Sequence, residues 1–264
     1  MKKERDLPIY KCGNFEWIVD VNKNELREKG NEKNRHSIFE MKDLTDAYYF
    51  ECYHEEMKKN VPVSVPQLTR LDPEGMCKKY KVTDVSGKND FDVMVDQEAF
   101  HRRIKLGQLP TISICGHTFY ADARNDFLRP KDDFSTMGIS FSELRDHYVP
   151  MKKCYMFPYN PKTHRLQDLD YDNIREYPKD LVFVKVPFVR VLDPVGWNRK
   201  NGFRETDFLK ELGLKLRFVG RIIPRQKVGI DELIARNQLD RPVKAKIELP
   251  QSDNFKKKGK GPKM

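Results

Sequence analysis

Two Cys-x-His triplets, Cys52-Tyr53-His54 and Cys115-Gly116-His117, are the residues of this 264-residue chain that come nearest to a metal half-site. Zinc takes three or four nitrogen, sulfur or carboxylate ligands, usually from paired half-sites. The two triplets would make a Cys2His2 set if they met in space, with His147 and His164 also available. There is no CxxC pair, and Cys12-Gly13-Asn14 lacks a histidine, so these residues are expected at strand ends or in a core and not around a metal. Any of the thiols could pair with a histidine for nucleophilic catalysis, but no Gly-rich nucleophile turn or oxyanion-hole motif is written. Asp122, Asp126, Asp132 and Asp133 are an acidic set of the kind that holds magnesium in nucleases. Arg124, Arg129 and Lys131 interleave with them, which is the pattern of a self-neutralised surface. Gly259-x-Gly261 is followed by no helix and so is not a phosphate loop. The expectation is a non-enzymatic protein with no catalytic residue, no metal and no cofactor.

The basic residues say more. The formal net charge is +10, which favours polyanionic partners. Lys256, Lys257, Lys258, Lys260 and Lys263 place five lysines in eight residues with no acid among them. Such a run binds phosphates by charge and counterion release, without sequence selectivity. Arg217, Arg221 and Arg225 surround Ile222-Ile223-Pro224, and Arg102, Arg103 and Lys105 form another basic stretch. Phe100, Phe203, Phe218 and Phe255 stand near these stretches, where they would stack on bases or fill a core. Nucleic acid is the expected partner. The alternative is a structural or assembly protein that binds other proteins.

The elements that must position these residues come twice. Leu7-Pro8, Cys12-Gly13, Trp17-Ile18-Val19-Asp20 and Leu26-Arg27 are echoed by Leu109-Pro110, Cys115-Gly116, Phe119-Tyr120-Ala121-Asp122 and Leu128-Arg129. Val65-Pro66 through Leu71-Asp72-Pro73-Glu74-Gly75 is echoed by Val186-Pro187 through Leu192-Asp193-Pro194-Val195-Gly196. Between them, Tyr49-Phe50-Glu51-Cys52-Tyr53 matches Tyr155-Met156-Phe157-Pro158-Tyr159 loosely. The separation grows from 102 to 121 residues between the two anchors, so a 19-residue insertion falls in the second copy, within the polar stretch Asn160 to Asp180. Short β-branched and aromatic runs predict strands, with Val61 to Leu71 as an edge strand. Asp-Pro-x-Gly predicts a type I turn closing each of them. Helices are predicted from Ser140 to Leu144, from Thr206 to Gly213 and over Asp231 to Arg236, with Leu214, Leu216 and Phe218 alternating as a strand. No long amphipathic helices separate the strands, so parallel winding is not expected.

The fold class expected is α+β: two diverged tandem copies of a strand-rich unit packed as a pseudo-dimer. The units are 1–100 and 101–240, followed by a basic tail over 241–264. Cys115-Gly116-His117-Thr118-Phe119-Tyr120-Ala121-Asp122 with Leu128-Arg129-Pro130-Lys131-Asp132-Asp133 resembles a segment of uncharacterised proteins from mobile elements or phages of gut Bacteroidales. The resemblance implies a source and no chemistry. Five dispersed cysteines, no apolar leader run and no membrane-length segment give a cytoplasmic expectation and no membrane partner.

Overall fold

The structure, a computed structural model, describes residues 5–54 and 57–240, and the chain is α+β. It opens with β1 (Ile9–Cys12), β2 (Phe15–Asp20), β3 (Glu25–Glu28) and β4 (Asn31–Ser37), an antiparallel sheet in that order. Phe15, Trp17 and Val19 alternate inward along β2, as a strand's period of two requires. A second antiparallel sheet follows from β5 (Lys42–Leu44), β6 (Ala47–His54) and β7 (Lys59–Pro66). Four short helices succeed it: α1 (Leu68–Leu71), α2 (Pro73–Tyr80), α3 (Asp90–Met94) and α4 (Gln97–Ile104).

The second half runs through comparable elements. β8 (Thr111–Ile114), β9 (His117–Asp122), β10 (Phe127–Pro130) and β11 (Ile139–Ser140) form an antiparallel set. β12 (Tyr148–Val149), β13 (Cys154–Asn160), β14 (Arg165–Leu166) and β15 (Val182–Pro187) form the next. Helices α5 (Val189–Leu192), α6 (Pro194–Lys200) and α7 (Leu209–Leu212) come after it. Two further strands, β16 (Arg217–Val219) and β17 (Arg221–Ile223), lead to α8 (Ile230–Asp240). β16 pairs in parallel with β8 and β17 antiparallel with β15, so this segment covers one edge of each second-half sheet. Residues 161–180 pack as a surface segment, held to α8 by Asn237, which donates to the carbonyls of Tyr171 and Ile174.

The Asp-Pro-x-Gly motifs are helix starts and not turns. Asp72 and Asp193 are N-caps, Pro73 and Pro194 are the first helical residues, and each Asp carboxylate accepts from the glycine N–H three residues on. Asp followed by Pro suits a cap as well as a turn, because the proline's missing N–H is one the first helical turn leaves unpaired anyway. The strand expected over Val61 to Leu71 stops at Pro66 and turns into α1. Two alignments shift by one residue. Cys12 ends β1 opposite Phe15, whereas Ile114 ends β8 opposite His117 and Cys115 lies in the turn with φ 50°. Tyr48, not Tyr49, faces Val65 as Tyr155 faces Val186. Ser140 to Leu144 is strand end and turn, followed by a 3-10 turn at Arg145–His147. Only Arg217–Val219 of the alternating stretch forms a strand.

Each half has its own apolar cluster. Trp17, Val19, Leu26, Tyr48, Phe50, Val63, Val65 and Leu68 fill the first. Phe119, Ala121, Leu128, Tyr155, Phe157, Val184, Val186 and Val189 fill the second. A third cluster joins the halves, from Val95 and Ala99 on one side and Val195, Leu209 and Leu214 on the other.

Candidate nucleic-acid interface

The basic residues divide by what they touch. Arg103 is buried, and its Nε and NH2 donate to the two oxygens of the equally buried Asp193 at 3.0 and 3.1 Å. It is a structural ion pair and is withdrawn from any surface role. Arg102 is half-buried, donating to Gln108 at 2.7 Å and lying 3.5 Å from Glu98. Arg225 is paired with Asp231 and lies 4.3 Å over the Tyr177 ring. Lys105, Arg217 and Arg221 are exposed, with no ion-pair partner among the described residues. Lys256, Lys257, Lys258, Lys260 and Lys263 lie outside the described residues.

Two cations belong with Arg217 and Arg221 that the sequence did not single out. Lys185 on β15 stands directly opposite Arg221 on β17. Lys215 is exposed two residues before Arg217. Neither lysine has an acidic partner among the described residues. Directly opposed residues of an antiparallel pair present their side chains on one face, so Lys185 and Arg221 are a like-charge cross-strand pair. Alternation along β15 carries the signal: Val184 and Val186 face the core while Lys185 stays on the other face. What the sequence could not supply was the partner strand. Of the aromatics, Phe100 and Phe218 are half-buried against apolar clusters. Phe203 is exposed and stacks on Trp197, with centroids 5.5 Å apart; Phe255 lies outside the described residues.

The metal and catalytic candidates regroup. The acids do not converge among the described residues. Asp122 is buried and accepts from Asn125. Asp126 accepts from Lys200 at 2.7 Å and from Ser140. Burial works against ionisation of Asp126, yet Lys200 and the two serines outweigh it and hold the carboxyl below its ordinary value. Asp132 pairs with Lys131. The Cys-x-His triplets form no cluster of potential ligands with each other among the described residues. His117 instead stacks on His164, with centroids 4.0 Å apart, beside Asp133. Burial, and then the neighbouring His164, lower the His117 pKa against the pull of Asp133. Burial pushes the Cys115 thiol up, away from a nucleophilic thiolate.

Among the described residues no helix is long and apolar enough to cross a membrane. No protein-family model, curated protein or solved structure matches the chain.

Proposed function

We propose that this chain is a non-enzymatic binding protein that holds nucleic-acid backbone against its β15–β17 face. The observation that carries the reading is the Lys185–Arg221 pair. Like charges directly opposite each other destabilise a sheet, by up to about 1 kcal/mol. An arrangement that keeps such a cost unneutralised suits an anion laid across it, and exposed Lys215 and Arg217 extend the charge onto the preceding segment. The tail lysines at 256–258, 260 and 263 add affinity without selectivity.

The proposal takes residues 1–100 and 101–240 as diverged copies of one unit packed as a pseudo-dimer. Three pairs of hydrogen bonds at matching positions support it. Val19 N–H donates to the Pro8 carbonyl and Ala121 N–H to that of Pro110. Lys29 donates to Glu16 and Lys131 to Thr118 through their backbones. Lys79 Nζ donates to Asn24 Oδ1 and Lys200 Nζ to Asp126 Oδ1. In the second copy the edges of β8 and β15 are covered by the β16–β17 segment.

Fluorescence anisotropy with labelled oligonucleotides of unrelated sequence, over a range of salt, tests the interface. Lys185→Glu and Arg221→Glu are expected to weaken binding by a similar factor for every sequence. Each should reduce the slope of log affinity against log salt by about one for every phosphate that is no longer neutralised. Affinity that ignores both substitutions and the salt would refute this reading. Val219 and Ile222 are exposed on the same segment, and salt-insensitive capture of a protein partner there would favour the assembly role instead.

A further inference from the structure

We propose that His117, Asp133 and His164 form a binding site for one divalent first-row metal ion of the zinc class. One donor atom from each lies within 4.8 Å of the other two. Asp133 Oδ2 is 3.6 Å from His117 Nδ1 and 3.8 Å from His164 Nε2. These separations are too long for hydrogen bonds. They are close to the roughly 3.4 Å that ligands at zinc's 2.0–2.2 Å bond lengths keep in a tetrahedral shell.

The surroundings orient the donors. His164 presents Nε2 to Asp133 while its Nδ1 is hydrogen-bonded to the Tyr159 hydroxyl at 3.2 Å. A ligating histidine characteristically has its other ring nitrogen held in this way. The other Asp133 oxygen accepts from the Ser135 N–H at 2.9 Å, leaving Oδ2 for the rings. Thr136 Oγ1 donates to the His164 carbonyl and ties the two segments together. His117 is only 6% exposed, and the Nδ1 that it turns toward Asp133 has no hydrogen bond there at 3.6 Å, so a buried ring nitrogen is left for an ion to engage; its Nε2, on the other side of the ring, is buried with no partner and would stay so. A nitrogen-rich set with one carboxylate suits zinc, cobalt or iron(II), not the all-oxygen shells of magnesium or calcium. Asp133 is half exposed, which leaves a path for the ion and room for water on its open side.

The donors also sit where the two halves differ. His117 occupies the hairpin position that Phe15 holds in the first half. Asp133 lies in the 131–138 connection between β10 and β11, whereas only Lys29 and Gly30 separate β3 from β4. His164 lies in the turn between β13 and β14, at the head of the 161–180 segment. One ligand site accounts for all three departures.

The full chain, reduced and metal-free, would be titrated with zinc by calorimetry and with cobalt(II) by visible absorption. One equivalent of each should bind, magnesium should not compete, and zinc should raise the melting temperature. His117→Phe restores the first-half residue, Asp133→Asn alters an exposed side chain, and His164→Ala removes the third donor. Each should weaken zinc binding about tenfold or more and reduce the zinc-induced melting shift. The zinc-free melting temperature of Asp133→Asn should match the parent. If His117→Phe fails to fold, Asp133→Asn and His164→Ala decide the matter. No binding by the parent, binding unaffected by the folded variants, or a thiolate-to-cobalt charge-transfer band would each overturn the proposal, the last by assigning the metal to cysteines.

Discussion

Asp72 and Asp193 each satisfy a helix start and an arginine with one carboxylate. Asp193 accepts from Arg103, from the Gly196 N–H at 3.1 Å and from the Ala123 N–H at 3.3 Å, with no exposed surface of its own. The glycines three residues on are fixed by space, and neither takes a positive φ. A Cβ at Gly196 would fall 2.0 Å from Asp193 Oδ2, and one at Gly75 would fall 2.1 Å from Asp72 Oδ2. Gly196→Ala must therefore displace a carboxylate that both caps a helix and neutralises a buried guanidinium. Loss of a cap costs about 1 kcal/mol, and breaking a buried pair about 3–5 kcal/mol. The expected loss for Gly196→Ala lies toward that upper range, read from the urea midpoint; a change under about 0.5 kcal/mol, as at an ordinary surface site, would show that the carboxylate moves freely. Asp72 adds a pH signature. Burial opposes its ionisation, but Arg5 and the Gly75 N–H outweigh it and hold the carboxyl below its ordinary value. A lowered carboxyl stabilises the fold above its unfolded-state value, and that contribution is lost as pH falls through the folded-state value. Arg5→Gln should move the acid-unfolding midpoint to higher pH. An unchanged midpoint would mean that the Gly75 N–H alone holds the carboxylate.

At the scale of elements, a lysine near the end of a helix ties it to a sheet turn in each half. Lys79, near the end of α2, donates to the Val21 carbonyl at 2.7 Å and to Asn24 at 2.6 Å in the β2–β3 turn. Lys200, at the end of α6, reaches the β9–β10 turn through Asp126. Hydrogen bonds from a charged donor contribute about 1.5–3 kcal/mol. Lys79→Met should lower the urea midpoint by an amount in that range. Lys200→Met should cost less, because Lys200 is itself exposed where Lys79 is half-buried, so its bond is better solvated. Equal losses would contradict that ordering. Both lysines were visible in the sequence only as basic residues following Asp-Pro-x-Gly; their targets are 55 and 74 residues away. The contrast holds generally in this chain. Local signals were readable: the strands around Trp17 and Val184, the Gly213 stop of α7, and the 160–180 segment as surface. Asp-Pro-x-Gly was ambiguous because turn and cap share the same residues, and only the following apolar run, Met76 in one half and Trp197 in the other, separates them. Arg103 and Lys185 were not separable by sequence, since full burial of one and only partial burial of the other depend on distant partners.

At the scale of the whole molecule, the question is whether the halves unfold separately. Three features join them. The third apolar cluster brings Val95 and Ala99 of the α3–α4 region against Val195, Leu209 and Leu214. The helix α4, which runs across the boundary between the halves, is pinned to the second by Arg103, the buried partner of Asp193. Lys210, on α7, reaches back into the first half, where it pairs with Asp43 and donates to the Tyr48 hydroxyl at 3.0 Å. Tyr48 in turn donates to buried Asp90, whose two oxygens accept from the Leu68 and Thr69 N–H groups at the start of α1. An opening of the interface would therefore uncover apolar surface, strand a buried arginine and loosen a first-half helix together. Folding should be cooperative over both halves. The chain's two tryptophans permit a direct test, since Trp17 lies in the first core and Trp197 packs against the second. Trp197→Phe and Trp17→Phe leave one reporter in each half, and their fluorescence transitions in urea should coincide with each other and with loss of circular dichroism. Leu209→Ala, in the joining cluster, should destabilise by about 2–5 kcal/mol and move both reporters by the same amount. A first-half transition that stays in place while the second-half transition shifts would make the halves independent domains in loose contact. The joining cluster, the arginine pair and the Lys210 network would then contribute little to either half's stability.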